Sequence, residues 1–93
     1  MRRSVLLTFP GNCSYDPDAH VVTFPAERGD QPITCRLSLE ALHAQAGLQG
    51  ADTDAVLLAF NEARDAAEEI AIHKYESGLI EPDGSVLVRA TDF

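Results

Sequence analysis

Apolar residues recur along this chain with two periods: a helical one over a single long stretch and a strand-like one over several short stretches. The long stretch is 54–77, DAVLLAFNEARDAAEEIAIHKYES. At about 100° per residue, Val56, Ala59, Phe60, Ala63, Ala66, Ala67, Ile70 and Ala71 fall on one stripe. Leu57, Ile72 and Tyr75 widen it on one flank. Glu62, Asp65, Glu69 and Glu76 lie opposite, and Leu58 falls among these acids. The pattern predicts an amphipathic helix whose alanine-rich stripe lets a sheet or a second helix approach closely. Its ends carry the appropriate signals. Asp52 or Thr53 can accept from the first free N–H groups. Asp54 stands at the positive end of the helix dipole, and His73 and Lys74 at the negative end. Gly78 is the stop.

The short stretches read as strands separated by turns. Ser4–Phe9 is the first, ended by Pro10-Gly11-Asn12. Ser14–Asp18 is a brief extended piece and turn, with Pro17 fixing the backbone. His20–Pro25 alternates Val21 and Thr23 against Val22 and Phe24. A polar turn, Glu27-Arg28-Gly29-Asp30, leads to Pro32–Leu37, where Ile33, Cys35 and Leu37 alternate with Thr34 and Arg36. These two strands are predicted to pair as an antiparallel hairpin. Ser38 caps a shorter helix over Leu39–Ala46, with Leu39 and Leu42 on its apolar face beside His43 and Ala46. Gly47 closes it. After the long helix, Pro82-Asp83-Gly84 is a turn and Ser85–Arg89 the last strand.

The order is β-β-β-α-α-β. It predicts an α+β fold, with an antiparallel sheet of about four strands and a short and a long helix packed on one face. The last strand must return to the sheet, at an edge or between earlier strands. The chain, 1–93, is the length of one domain. A core this small gains from dimerisation, so a homodimer is one expectation.

Charge narrows the classes of partner. Fifteen acids against seven basic residues give a net charge of −8. The basic residues are scattered, which argues against the basic footprint a nucleic-acid binder needs. Apolar runs are too short for a membrane span, and the run Val5-Leu6-Leu7 after Met1-Arg2-Arg3 breaks too early for a signal peptide. The expected location is the cytoplasm, where Cys13 and Cys35 are reduced thiols.

Candidate chemistry is sparse. There is no C-x-x-C, no glycine-rich phosphate loop and no H-E-x-x-H, and His20, His43 and His73 are far apart in sequence. Glu69 and His73 form only an i,i+4 surface pair. No metal or cofactor is implied, and without a catalytic constellation the chain is not read as an enzyme. Cys35 alternates with Ile33 and Leu37 and reads as core, whereas Cys13, in a turn, is the more reactive thiol. Arg36 and Arg89 lie in strands with apolar neighbours on the other face. If the last strand pairs near Pro32–Leu37, both share the open face with Thr34, in a basic spot suited to a carboxylate or to an acidic patch on a second copy. The plainer role for such arginines is edge protection.

The chain resembles a family of small bacterial proteins known as domain of unknown function fourteen-eighty-eight. The resemblance rests on Leu7-Thr8-Phe9, Tyr15-Asp16, Val22-Thr23-Phe24, Ile33-Thr34-Cys35-Arg36-Leu37-Ser38 and Glu40-Ala41-Leu42. It continues through Phe60-Asn61, Arg64, Ala67, Lys74-Tyr75, Gly78 and Asp92-Phe93. It implies a compact stand-alone α+β domain and no site residues. The function read from the chain is that of an acidic, non-enzymatic interaction or regulatory module, with a protein partner engaged at Leu58 or at Arg36 and Arg89. Two alternatives stand beside it: a thiol-based redox or small-ligand protein using Cys13 with Cys35, and a nucleic-acid-linked regulator using the two arginines.

Overall fold

The computed structural model of the chain describes residues 7–93, so the first half of the strand expected over Ser4–Phe9 lies outside the described residues. Within them the fold is α+β. Six strands form, β1 (Ser14–Asp16), β2 (Val21–Thr23), β3 (Ala26–Arg28), β4 (Gln31–Ile33), β5 (Cys35–Ser38) and β6 (Val86–Val88). Two helices, α1 (Leu39–Gln45) and α2 (Thr53–Glu76), lie between β5 and β6, and a 3-10 turn (Ala90–Asp92) follows β6.

One long bent hairpin organises the sheet. Val21 pairs with Ser38 and Thr23 with Arg36, and the same register continues from Ala26 with Ile33 to Arg28 with Gln31. Between the paired segments the Phe24 N–H still donates to Cys35 O at 2.8 Å. Pro25, which has no N–H to give, marks the break that divides β2 from β3. At the tip, Gly29 takes φ +61°, and Asp30 is not in the left-handed region. That is the pattern of a two-residue type II′ turn, for which glycine is needed at the first position.

The main sheet runs β1-β2-β5-β6. β1 pairs antiparallel with β2, and β2 with β5. The last strand takes the edge beside β5 and adds in parallel, Cys35 against Val86 and Leu37 against Val88. A parallel neighbour requires a long crossover, and the connection through α1 and α2 supplies it.

Both helices cover one face of this sheet. Val22, Cys35, Leu37, Val86 and Val88 point into the core and are fully buried. Phe24 and Phe60 meet at 5.2 Å between ring centroids, joining the hairpin to α2. The buried stripe of α2 is Val56, Ala59, Phe60, Ala63, Ala67, Ala71 and Lys74. Two members of the predicted stripe differ, since Ala66 is exposed and Ile70 only half-buried. The stripe turns instead toward Lys74. In α1 the buried set is Leu39, Ala41 and Leu42, while His43 is exposed, its Nε2 lying 2.9 Å from Gly50 O.

The helix ends follow the capping signals. Asp52 accepts from Ala55 N and Ser38 from Ala41 N. At the end of α2, Leu79 N donates to Lys74 O and Gly78 N to Tyr75 O, with Gly78 at φ +76°. These two bonds form the Schellman closure that a left-handed glycine permits.

Candidate functional site

The face of the sheet turned away from the helices carries Asp16, Val21, Thr23, Arg36, Ser38 and Leu87, one residue out of phase with the buried set. No described element covers this face. Val21, on the inner strand β2, and Leu87, on the edge strand β6, stay half-buried on it. Two hollows adjoin there and share Ala19, Val21 and Leu87. The larger, about 500 Å³, adds Asp16, Arg36, Pro82 and Asp83 to its walls. The smaller, about 350 Å³, adds Ser38, Glu40, Arg89 and Ala90.

Local sequence shapes the walls. On one side Asp16 Oδ1 accepts from Asp18 N and Ala19 N, tightening the β1–β2 turn. That turn ends at His20, held at φ +57°, whose carbonyl accepts from Leu39 N at the start of α1. On the other side Glu81 N donates to Ser85 O, and Gly84 N to Glu81 O. The turn they close presents two carboxylates to the sheet.

Arg36 and Arg89 do lie on this face: Arg36, on β5, pairs with Leu87, and Arg89 stands just past the end of β6, before the 3-10 turn. Neither is a bare cation. Arg36 Nη1 donates to Ser85 Oγ at 3.0 Å and lies 3.6 Å from Asp83 Oδ2. Arg89 Nη2 lies 3.7 Å from Glu81 Oε2. The Ser85 hydroxyl and backbone N–H, with Arg36 beside them, hold the Asp83 carboxyl below the usual carboxylate range. Both ion pairs are substantially exposed and therefore weak. Asp16 and Glu40, at opposite ends of the paired hollows, have no ion-pair partner among the described residues.

The other candidates lie elsewhere. Leu58 is 63% exposed on the outer side of α2. Cys35 is fully buried, and burial, with Glu68 nearby, pushes its thiol up to about 11. Cys13 is half-buried at the sheet edge, where Arg64 Nη2 donates to its Sγ at 3.6 Å. The same guanidinium lies 4.8 Å from the centre of the Phe60 ring. Both cysteines are free thiols. Among the described residues no group of three or more His, Cys, Asp and Glu side chains could hold a metal ion, and no helix is long and apolar enough to cross a membrane.

One group escaped the sequence reading. Lys74 Nζ, buried under the 3-10 turn, donates to Leu87 O at 2.7 Å and to Asp92 Oδ2 at 2.8 Å. Asp92 Oδ2 also accepts from Arg89 N at 2.7 Å. Leu87 O and Arg89 N face the free edge of β6, so the Lys74–Asp92 pair caps the backbone groups that a further strand would use. Burial pushes the Asp92 carboxyl up, but the Lys74 ammonium and the Arg89 N–H outweigh it and hold it below the ordinary range. Lys74 lies three residues after Ala71 on the buried stripe, which is the one sequence signal for its burial.

The family model described as protein of unknown function (DUF1488) matches residues 7–88. Among solved structures, the chain is similar to a protein of unknown function of the DUF1488 family from Shewanella loihica PV-4, a crystal structure at 1.60 Å resolution. The likeness has a TM-score of 0.84 at 22% identity and covers 95% of this chain and 94% of that one. At that identity it establishes the fold. None of the curated proteins compared with the chain matches it.

Proposed function

The chain belongs to the DUF1488 family, and we propose that it is a non-enzymatic protein-interaction module whose binding surface is the open face of the sheet. The observation that supports this reading most is the one-sidedness of the fold. Both helices pack on the same face, and on the other Val21 and Leu87 remain half-buried between two adjoining hollows. A single exposed apolar residue is ordinary on any protein surface. Two on one face, on either side of β5 and both lining the same pair of hollows rimmed by charge, resemble the centre and rim of an interface. Arg36 and Arg89 belong to that rim. Leu58, alone on a convex acidic helix face, lacks such a setting.

Photo-crosslinking tests this directly. A photoreactive amino acid at Leu87 yields an adduct of discrete mass in cells, and the same residue at Leu58 does not. An adduct of twice the chain's own mass identifies a second copy as the partner. A Leu87 position that yields no adduct while Leu58 does overturns the assignment.

Thiol chemistry at Cys13 is a second reading, favoured by the Arg64 guanidinium, which donates to its sulfur. Cys35 takes no part in it, since its buried thiol stays protonated well above neutral pH. On this reading Cys13 reacts with iodoacetamide faster than free cysteine, and Arg64→Gln abolishes the difference. A native rate at or below that of free cysteine removes it.

A further inference from the structure

The charges around the open face point to the kind of partner it accepts. Resting on the interaction reading above, we propose that the face takes an extended segment of a partner protein in which two basic side chains flank an apolar one. Arg36 and Arg89 are each engaged by a carboxylate of the Glu81–Ser85 turn. Asp16 and Glu40 are left without ion-pair partners among the described residues, one lining each hollow, with Val21 between them and Leu87 across β5. The surface therefore reads negative, apolar, negative.

The spacing suits an extended chain. Asp16 is opposite Val21, and Val21 is opposite Ser38. Two strand spacings separate Asp16 from Ser38 by about 10 Å, and Glu40 follows two residues on. In an extended segment, residues i, i+2 and i+4 share one face over about 13 Å. Lysine side chains at i and i+4 can reach the two carboxylates while the residue at i+2 covers Val21.

An acidic segment fits poorly. It has to displace Asp83 and Glu81 from the arginines and still face Asp16 and Glu40. A second copy brings the same excess of negative charge, −8 per chain. A basic segment leaves both arginine pairs intact and neutralises the two carboxylates that lack an ion-pair partner.

The test is a titration of the full isotopically labelled chain with two synthetic peptides, followed by backbone amide chemical shifts. One peptide contains Lys-Thr-Val-Thr-Lys, and the other has Glu in place of both Lys. The expected result is that only the lysine peptide shifts signals in 16–21, 36–40 and 81–89. Asp16→Asn combined with Glu40→Gln should weaken it about ten-fold, the sum of two partly exposed charge pairs. Asp65→Asn combined with Glu69→Gln removes the same charge from the outer side of α2 and should change affinity less than about two-fold by the same reckoning. Equal weakening by both pairs, or shifts centred on α2, means non-specific attraction and overturns the proposal. Binding of the glutamate peptide alone to the open face overturns the proposal but leaves the interaction reading standing. Concentration-dependent shifts of the free chain on that face assign it to a second copy and overturn the basic-segment proposal. If neither peptide moves open-face signals and no self-association appears, the interaction reading falls as well.

Discussion

Along β5, Cys35 and Leu37 are fully buried beneath the helices, while Arg36 and Ser38, each one residue away, remain partly exposed on the opposite face. The same contrast runs through the neighbouring strands: Val22 against Val21, Val86 and Val88 against Leu87. A pleated strand makes this division automatic, since successive side chains point to opposite faces. The strands are shared, so backbone pairing serves both faces equally. Side-chain packing does not: the covered face carries the core, and the open face contributes little to it. Substitutions should therefore separate the faces cleanly, large in effect on one side and small on the other.

The largest loss is expected for Phe60→Ala. Phe60 is fully buried against Phe24 and beneath the Arg64 guanidinium. Its removal should cost about 3–5 kcal/mol, the usual range for a core aromatic. Denaturant unfolding measures this, and a loss below about 1 kcal/mol would mean that the α2–hairpin contact is not the heart of the core.

Lys74→Ala comes next, at about 2–3 kcal/mol. This is below the full cost of breaking a buried pair, because the Asp92 side chain keeps 25% exposure. The variant leaves Leu87 O and Asp92 without their ammonium donor. The pair also predicts a pH dependence. Asp92 titrates lower in the folded chain than in the unfolded one, so its contribution is complete above the ordinary carboxyl range. It is lost as pH falls through the depressed value. Wild-type stability should therefore drop more steeply below about pH 4 than that of Lys74→Ala. Parallel acid profiles for the two would contradict the pairing.

Ala67→Leu should cost about 1–3 kcal/mol by overpacking, because Ala67 has no exposed surface to expand into. Ala66→Leu is its internal control: Ala66 is exposed, and the change should stay within about 0.5 kcal/mol. Equal effects at the two positions would mean that the buried stripe is rotated from the one described.

How much of this the sequence shows depends on how local the cause is. The α+β order, the hairpin, the Gly29 turn and the Gly78 helix stop are legible because each rests on neighbouring residues and an established backbone preference. The alternation that buries Ile33, Cys35 and Leu37 also places Arg36 on the other face without further information. Contacts made across the fold are not legible. Lys74 looks like a helix-end cation until Leu87 O and Asp92 meet it. Arg36 and Arg89 look like a basic spot until the Glu81–Ser85 turn supplies Asp83 and Glu81. The parallel placement of β6 depends on how α1 and α2 carry the chain across the core, which periodicity cannot specify. Ala66 marks the limit of wheel arguments: an alanine at the border of a stripe is equally at home on either side.

A small stability effect should also come from the residues with the largest role in recognition. Val21→Thr and Leu87→Thr together keep strand-forming side chains at half-buried positions. They should cost less than about 1 kcal/mol, or roughly 4–8 °C in Tm at most. The most direct test is the yield of partner adduct from a photoreactive residue at Ala19, on the rim of both hollows, measured with and without these two substitutions in chains shown to be folded. A molecule whose open face is its binding surface loses the adduct while its melting curve stays near wild type. An adduct of undiminished yield in the folded double variant would contradict the assignment.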